Sequence, residues 1–206
     1  MQPNTLELLK ATLKSLRGSY KETKTQTEGQ VSRWQWATDR YFSLIPFEQE
    51  RFRMLRGKLL DGEPRVPKNC CAFGFDEQDR LCLIRVFDAH GKPQTEQFIG
   101  YTAEHALIKG YMNGGKAIGK SVDVALSEGV PQASNTLGAE GDRISEKYTY
   151  DGGRLSSIEV EQFHSLMKKT FSHKYEFSRD AAGKTQATRI DADGGRALAF
   201  SVDTTV

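Results

Sequence analysis

One short stretch of this chain spells out a nucleotide chemistry: Gly114-Gly-Lys-Ala-Ile-Gly119-Lys120-Ser121 satisfies the G-x-x-x-x-G-K-S expression of a phosphate-binding loop. In such a loop the glycine amides wrap the phosphates, Lys120 meets the β and γ oxygens, and Ser121 holds the metal. The loop must also leave a buried parallel strand and open a helix. Here the continuation alternates Val122, Val124 and Leu126 as a strand does, and it meets Gly129 and Pro131 within a few residues. A glycine-rich β connection is the preferred reading. A nucleotide site on Gly114, Gly119, Lys120 and Ser121 is the alternative.

The other reactive side chains form no recognisable machinery. His90, His105, His164 and His173 lack HxxxH or HExxH spacing, so no metal site is expected and no cofactor is implied. No serine sits in a G-x-S-x-G elbow. Cys70, Cys71 and Cys82 are odd in number and form no CxxC pair, which fits reduced, buried thiols. An even register about Glu77 and Gln78 would place Cys71, Phe73 and Phe75 on one inward face with Cys82, Ile84 and Val86.

Charge pairs recur without being catalytic dyads. Asp76-Glu-Gln-Asp79-Arg80, Asp88-Ala-His-Gly91-Lys92, Asp151-Gly-Gly153-Arg154, Asp180-Ala-Ala-Gly183-Lys184 and Asp193-Gly-Gly195-Arg196 share one phrase. Asp at the first position of a type I turn accepts backbone N–H bonds, and a following Gly takes positive φ. Each phrase predicts a hairpin, with its Arg or Lys opening the next strand.

These residues also carry a likeness. Tyr148-Thr-Tyr150-Asp151-Gly-Gly153-Arg154-Leu155 resembles the tyrosine-aspartate repeat of bacterial RHS proteins, Tyr-x-Tyr-Asp-x-x-Gly-Arg-Leu, and Phe73 to Leu81 is similar with Phe for Tyr. The spacing from Asp151 to Arg154 is one residue shorter than in the family. RHS repeats build a shell around a polymorphic toxin. So few units cannot enclose a cavity. What the resemblance implies is a small protein of such a toxin system, namely an immunity protein that binds a cognate toxin domain.

The elements that must position these residues divide into two parts. Residues 1–68 hold 13 Lys+Arg against 8 Asp+Glu, while residues 69–206 hold 16 against 19. Leu6, Leu9, Leu13 and Leu16 form one helical stripe closed by Gly18. The polar run 19–30 reads as a linker, and Pro46 to Leu60 as a second helix with an outward basic face. From Cys70 the period becomes two, and eight candidate strands joined mostly by short links describe an antiparallel meander. The expected fold is α+β: a helical segment, 1–68, packed on a curved antiparallel meander of roughly eight or more strands, 69–206.

The net charge of +2 is too small for a nucleic-acid binder, and neither an export leader nor a membrane span is recognisable. A cytoplasmic, non-catalytic binding protein is therefore expected; a secreted effector stays open as a further alternative. Trp34, Trp36, Arg40 and Tyr41, with Arg51 and Arg53 on the basic helix, are the candidate partner-binding residues, because aromatics and Arg concentrate interface energy. Aromatics packing the segment onto the sheet would look identical, and for Trp34, Trp36, Tyr41 and Phe42 that packing is the preferred reading.

Overall fold

The computed structural model describes residues 1–203. In chain order these form α1 (Pro3–Leu16), α2 (Tyr20–Glu28), β1 (Arg33–Ala37), α3 (Glu48–Arg51) and β2 (Leu59–Leu60). Then come eleven consecutive strands: β3 (Cys71–Phe75), β4 (Leu81–Phe87), β5 (Pro93–Tyr101), β6 (His105–Met112), β7 (Ala117–Ser127), β8 (Val130–Gly138), β9 (Arg143–Asp151), β10 (Arg154–His164), β11 (Lys169–Arg179), β12 (Thr185–Asp191) and β13 (Arg196–Val202). All strands belong to one antiparallel sheet ordered β13 through β3 in sequence, then β1 and β2 at the far edge. No helix among the described residues is long and apolar enough to cross a membrane.

The hairpins follow from their turn residues. Asp76 accepts from the amides of Gln78 (3.0 Å) and Arg80 (2.9 Å), Asp88 from His90 (2.8 Å) and Lys92 (2.9 Å), and Asp180 from Ala182 and Lys184 (both 2.9 Å). In each, the next-to-last residue is left-handed: Asp79 at φ 59, Gly91 at 76 and Gly183 at 80. This is a type I turn followed by a bulge. The other two phrases differ. Gly152 (φ 55) and Gly153 (φ 78) form a two-residue link between the paired Asp151 and Arg154, with the positive φ at both central positions that a type I′ turn needs. The last turn starts at Asp191, whose carbonyl accepts from Gly194 at 2.9 Å, so Asp193 lies inside it.

Several expectations for residues 1–68 change. The polar run 19–30 is helical in α2, where Thr23 and Thr27 are buried and the Tyr20 ring meets Phe98 and Tyr111. The expected second helix shrinks to the four residues of α3, because Phe47 before it (φ 51) and Arg53 after it (φ 59) are left-handed. The same segment also contributes β1 and β2 to the sheet. Beyond the eight expected strands, the sheet gains β6, β7 and β8.

Two layers cover the sheet. Helices α1 and α2 lie over β4 to β8, burying Leu16 with Leu83, Phe98 and Tyr111. On the opposite face the 38–58 segment packs Phe42 edge-on to Phe73 and Phe75, above Ile84, Ile99, Ile108 and Val122. The even register expected for the first hairpin holds only in part: a bulge pairs Gly74 with Leu83 but Phe75 with Leu81. Cys82 is the extra residue, and it packs with Leu83 on the helical face while Cys71 stays on the other.

Candidate functional site

The strand-to-strand excursion between β1 and β2 does not behave as an ordinary surface loop, because buried polar contacts tie it down. Ser43 donates to Glu48 (2.7 Å), and Lys120 on β7 donates to the other oxygen of the same carboxylate (2.9 Å). Burial alone would push the Glu48 carboxyl up, but Lys120 and Ser43 outweigh it and hold the group below its usual range. Three residues on, Arg51 grips Glu146 of β9 with two bonds, 2.6 and 3.1 Å, both side chains being about nineteen-twentieths buried. The Glu146 carboxylate also takes the Tyr148 hydroxyl at 2.6 Å and Ser134 at 3.1 Å. Burial works against the charge on Arg51, and Glu146 more than restores it.

Immediately before Glu48, Phe47 stacks on Phe177 (5.0 Å) and lies against Phe200 (5.6 Å). At the base of the excursion the Gly57 amide donates to the Arg40 carbonyl at 2.9 Å, and a Cβ at Gly57 would fall 2.5 Å from the Asp39 backbone. Only glycine permits that closure. What the anchors hold out is apolar and cationic: Phe52 is 56 % exposed, Met54 45 % and Leu55 89 %, beside exposed Arg53 and Lys58. Exposed apolar residues grouped in one rigid loop mark an interaction surface more often than scattered single ones do.

The expected partner-binding residues separate accordingly. Trp36 is buried and stacked on Phe87 (5.6 Å), Tyr41 packs on Phe42 (4.8 Å), and Arg51 is spent on Glu146, so these three serve packing. Trp34, with the Arg85 guanidinium 5.9 Å from its ring, remains reachable, as do Arg40 and Arg53. Sequence reasoning missed Phe52, Met54 and Leu55 as surface groups, because a continuous helix would have turned Phe52 and Leu55 inward.

The phosphate-loop expression forms no such loop. Gly114 and Gly115 lie in the β6–β7 turn, Gly119 is the bulged residue between the paired Ile118 and Lys120, Ser121 is fully buried, and β7 continues where a helix would be needed. Gly115 is required there for another reason, since a Cβ would run into the Tyr20 ring. The three cysteines are free and buried, and burial raises their thiols, Cys71 to about 12. Among the described residues no group of three His, Cys, Asp or Glu side chains could hold a metal. One acid–base pair does assemble across β6 and β7: His105 Nδ1 lies 2.9 Å from Asp123. No nucleophile is bonded to that imidazole among the described residues. The alternation at Val122 and Val124 would have placed Asp123 outward, but nothing in the sequence marked β6. No family model matches the chain, and no curated protein matches it.

Proposed function

We propose that this protein is a non-catalytic binding protein, and that it neutralises a protein toxin of the RHS type as its cytoplasmic immunity partner. The observation that carries the binding reading is the 52–58 loop, which is rigidly tethered through Glu48, Arg51 and Gly57 yet leaves Phe52, Met54 and Leu55 in solvent. A loop fixed before binding spends little ordering entropy on association, and exposed apolar groups flanked by Arg supply the contacts that concentrate affinity. The toxin setting is supported by the hairpin phrases, foremost Tyr148 to Leu155.

The sheet in this reading is a curved meander that wraps its own β1–β2 excursion. Helix α3 packs against β13, yet its Glu48 reaches Lys120 on β7. Six strand spacings of about 4.8 Å would hold those strands roughly 29 Å apart on a flat sheet. That exceeds what one Lys and one Glu side chain span, so a curled sheet is the arrangement that satisfies both contacts.

Co-expression with the product of the adjacent gene, followed by co-purification and growth measurement, tests the proposal. Wild type is expected to form a complex and protect growth. Leu55→Asp combined with Phe52→Ser, both at exposed positions, is expected to weaken the complex at least thirtyfold without lowering the unfolding midpoint. Failure of wild type to bind or protect sinks the proposal, and full binding by the double variant removes the loop from it.

A further inference from the structure

A second feature lies on the opposite face, where the C-terminal half of α1 meets the β6–β7 turn. These elements enclose a groove of about 820 Å³, within the size range of sites that take peptides or small ligands. Its rim carries Lys10 and Lys14 from α1, Arg17 at the end of that helix and Lys116 from the turn, with Glu140 the one acidic side chain lining it. Lys10 is paired with Glu7, but Lys14, Arg17 and Lys116 have no carboxylate partner among the described residues. Its inner wall is aliphatic, with Leu13 and Ile118 partly buried there.

The helix explains part of this charge, because cations near a helix C-terminus are favoured by its dipole. It does not explain Lys116, which comes from a different element and converges on the same space. Like charges gathered without a counter-charge raise the local potential and are satisfied by an anion placed between them. The walls are also fixed: Tyr20, which opens α2, packs against the Gly115 backbone, and its hydroxyl donates to Glu96 of β5 at 2.5 Å.

We infer that this groove binds an acidic peptide segment with interspersed aliphatic side chains, the carboxylates meeting Lys14, Arg17 and Lys116 and the aliphatic groups meeting Leu13 and Ile118. Nucleic acid fits less well. Binding single strands without sequence preference relies on aromatic stacking platforms, and no aromatic residue lines this groove. The inference deepens the binding-protein reading by naming the chemistry of a second contact on the partner, and the groove can be tested without that partner.

The probe is a fluorescein-labelled peptide of alternating Glu and Leu, titrated against the full chain by fluorescence polarisation, with an alternating Lys and Leu peptide as control. The Glu peptide is expected to bind, to weaken at least tenfold between 50 and 300 mM salt, and to lose at least tenfold affinity in Lys14→Glu/Arg17→Glu. The Lys14→Arg/Arg17→Lys variant is expected to keep it. Both positions are exposed, so unchanged circular dichroism should accompany both variants. No binding above the control, binding indifferent to charge reversal, or tighter binding of a labelled single-stranded oligonucleotide would each overturn the inference. Peptide binding without any toxin complex would leave the groove standing and remove the immunity reading. A toxin complex without peptide binding would do the reverse.

Discussion

Arg51 was legible in the sequence as a positive charge and illegible as a buried one. Its composition and neighbours suit a solvated basic face, but the left-handed residues at Phe47 and Arg53 cut the helix to one turn and rotate Arg51 onto Glu146. Taking both charges out of water is costly, and breaking such a pair leaves the survivor uncompensated. Arg51→Met is therefore expected to destabilise the protein by about 3 to 5 kcal/mol in urea unfolding. Arg51→Met with Glu146→Leu should recover more than half of that loss. If the double variant is no better than the single one, the pair is not the reason Arg51 is held there. The turn aspartates are the opposite case: Asp76, Asp88 and Asp180 bond the amides that local spacing assigns them, since a turn is decided within five residues.

Elements divide along the same line. Strands β3 to β5 and β9 to β13 are readable because alternation and turn residues coincide, and the sheet order then follows from the short links. Helix α2 was not readable. Its residues Tyr-Lys-Glu-Thr-Lys-Thr-Gln-Thr-Glu offer no apolar stripe, and its helicity rests on partners: Phe98 and Tyr111 against Tyr20, and Arg85 against Glu28. A nine-residue helix is too short to hold itself in water. A synthetic peptide covering residues 19–30 is expected to show no appreciable helix by circular dichroism, while the intact chain protects the amides of 23–28 from exchange. A helical peptide would mean that local propensity, and not docking, makes α2.

At the scale of the whole molecule, acid should act in two stages. His173 lies beside Tyr175, with rings at 83° and 5.2 Å, and its buried Nδ1 has no hydrogen-bond partner among the described residues. Burial pushes its pKa down, Arg189 and Arg51 push the same way, and Asp191 and Glu146 oppose them. The unfolded chain then binds the proton more readily than the folded one. Stability is thus fully present above the unfolded histidine value of about 6.5 and declines as pH falls below it. Glu48, lowered by Lys120 and Ser43, adds a second loss as pH falls below about 4.3. Unfolding free energies measured from pH 8 to 5 should decline for wild type below pH 6.5 and stay level for His173→Phe. Equal declines in the two would place the titration elsewhere.

The sequence by itself determined the hairpins, the antiparallel order they impose, and the helical stripe of α1, because each is decided by neighbours within a few residues. Tertiary structure alone decided the depth of Arg51 and Glu48, the folding of α2, and the exposure of Phe52, Met54 and Leu55. Those outcomes rest on contacts between residues some seventy to a hundred positions apart, Glu48 with Lys120, Arg51 with Glu146, Tyr20 with Glu96. Spacing along a chain carries no record of such partners until the sheet brings them together.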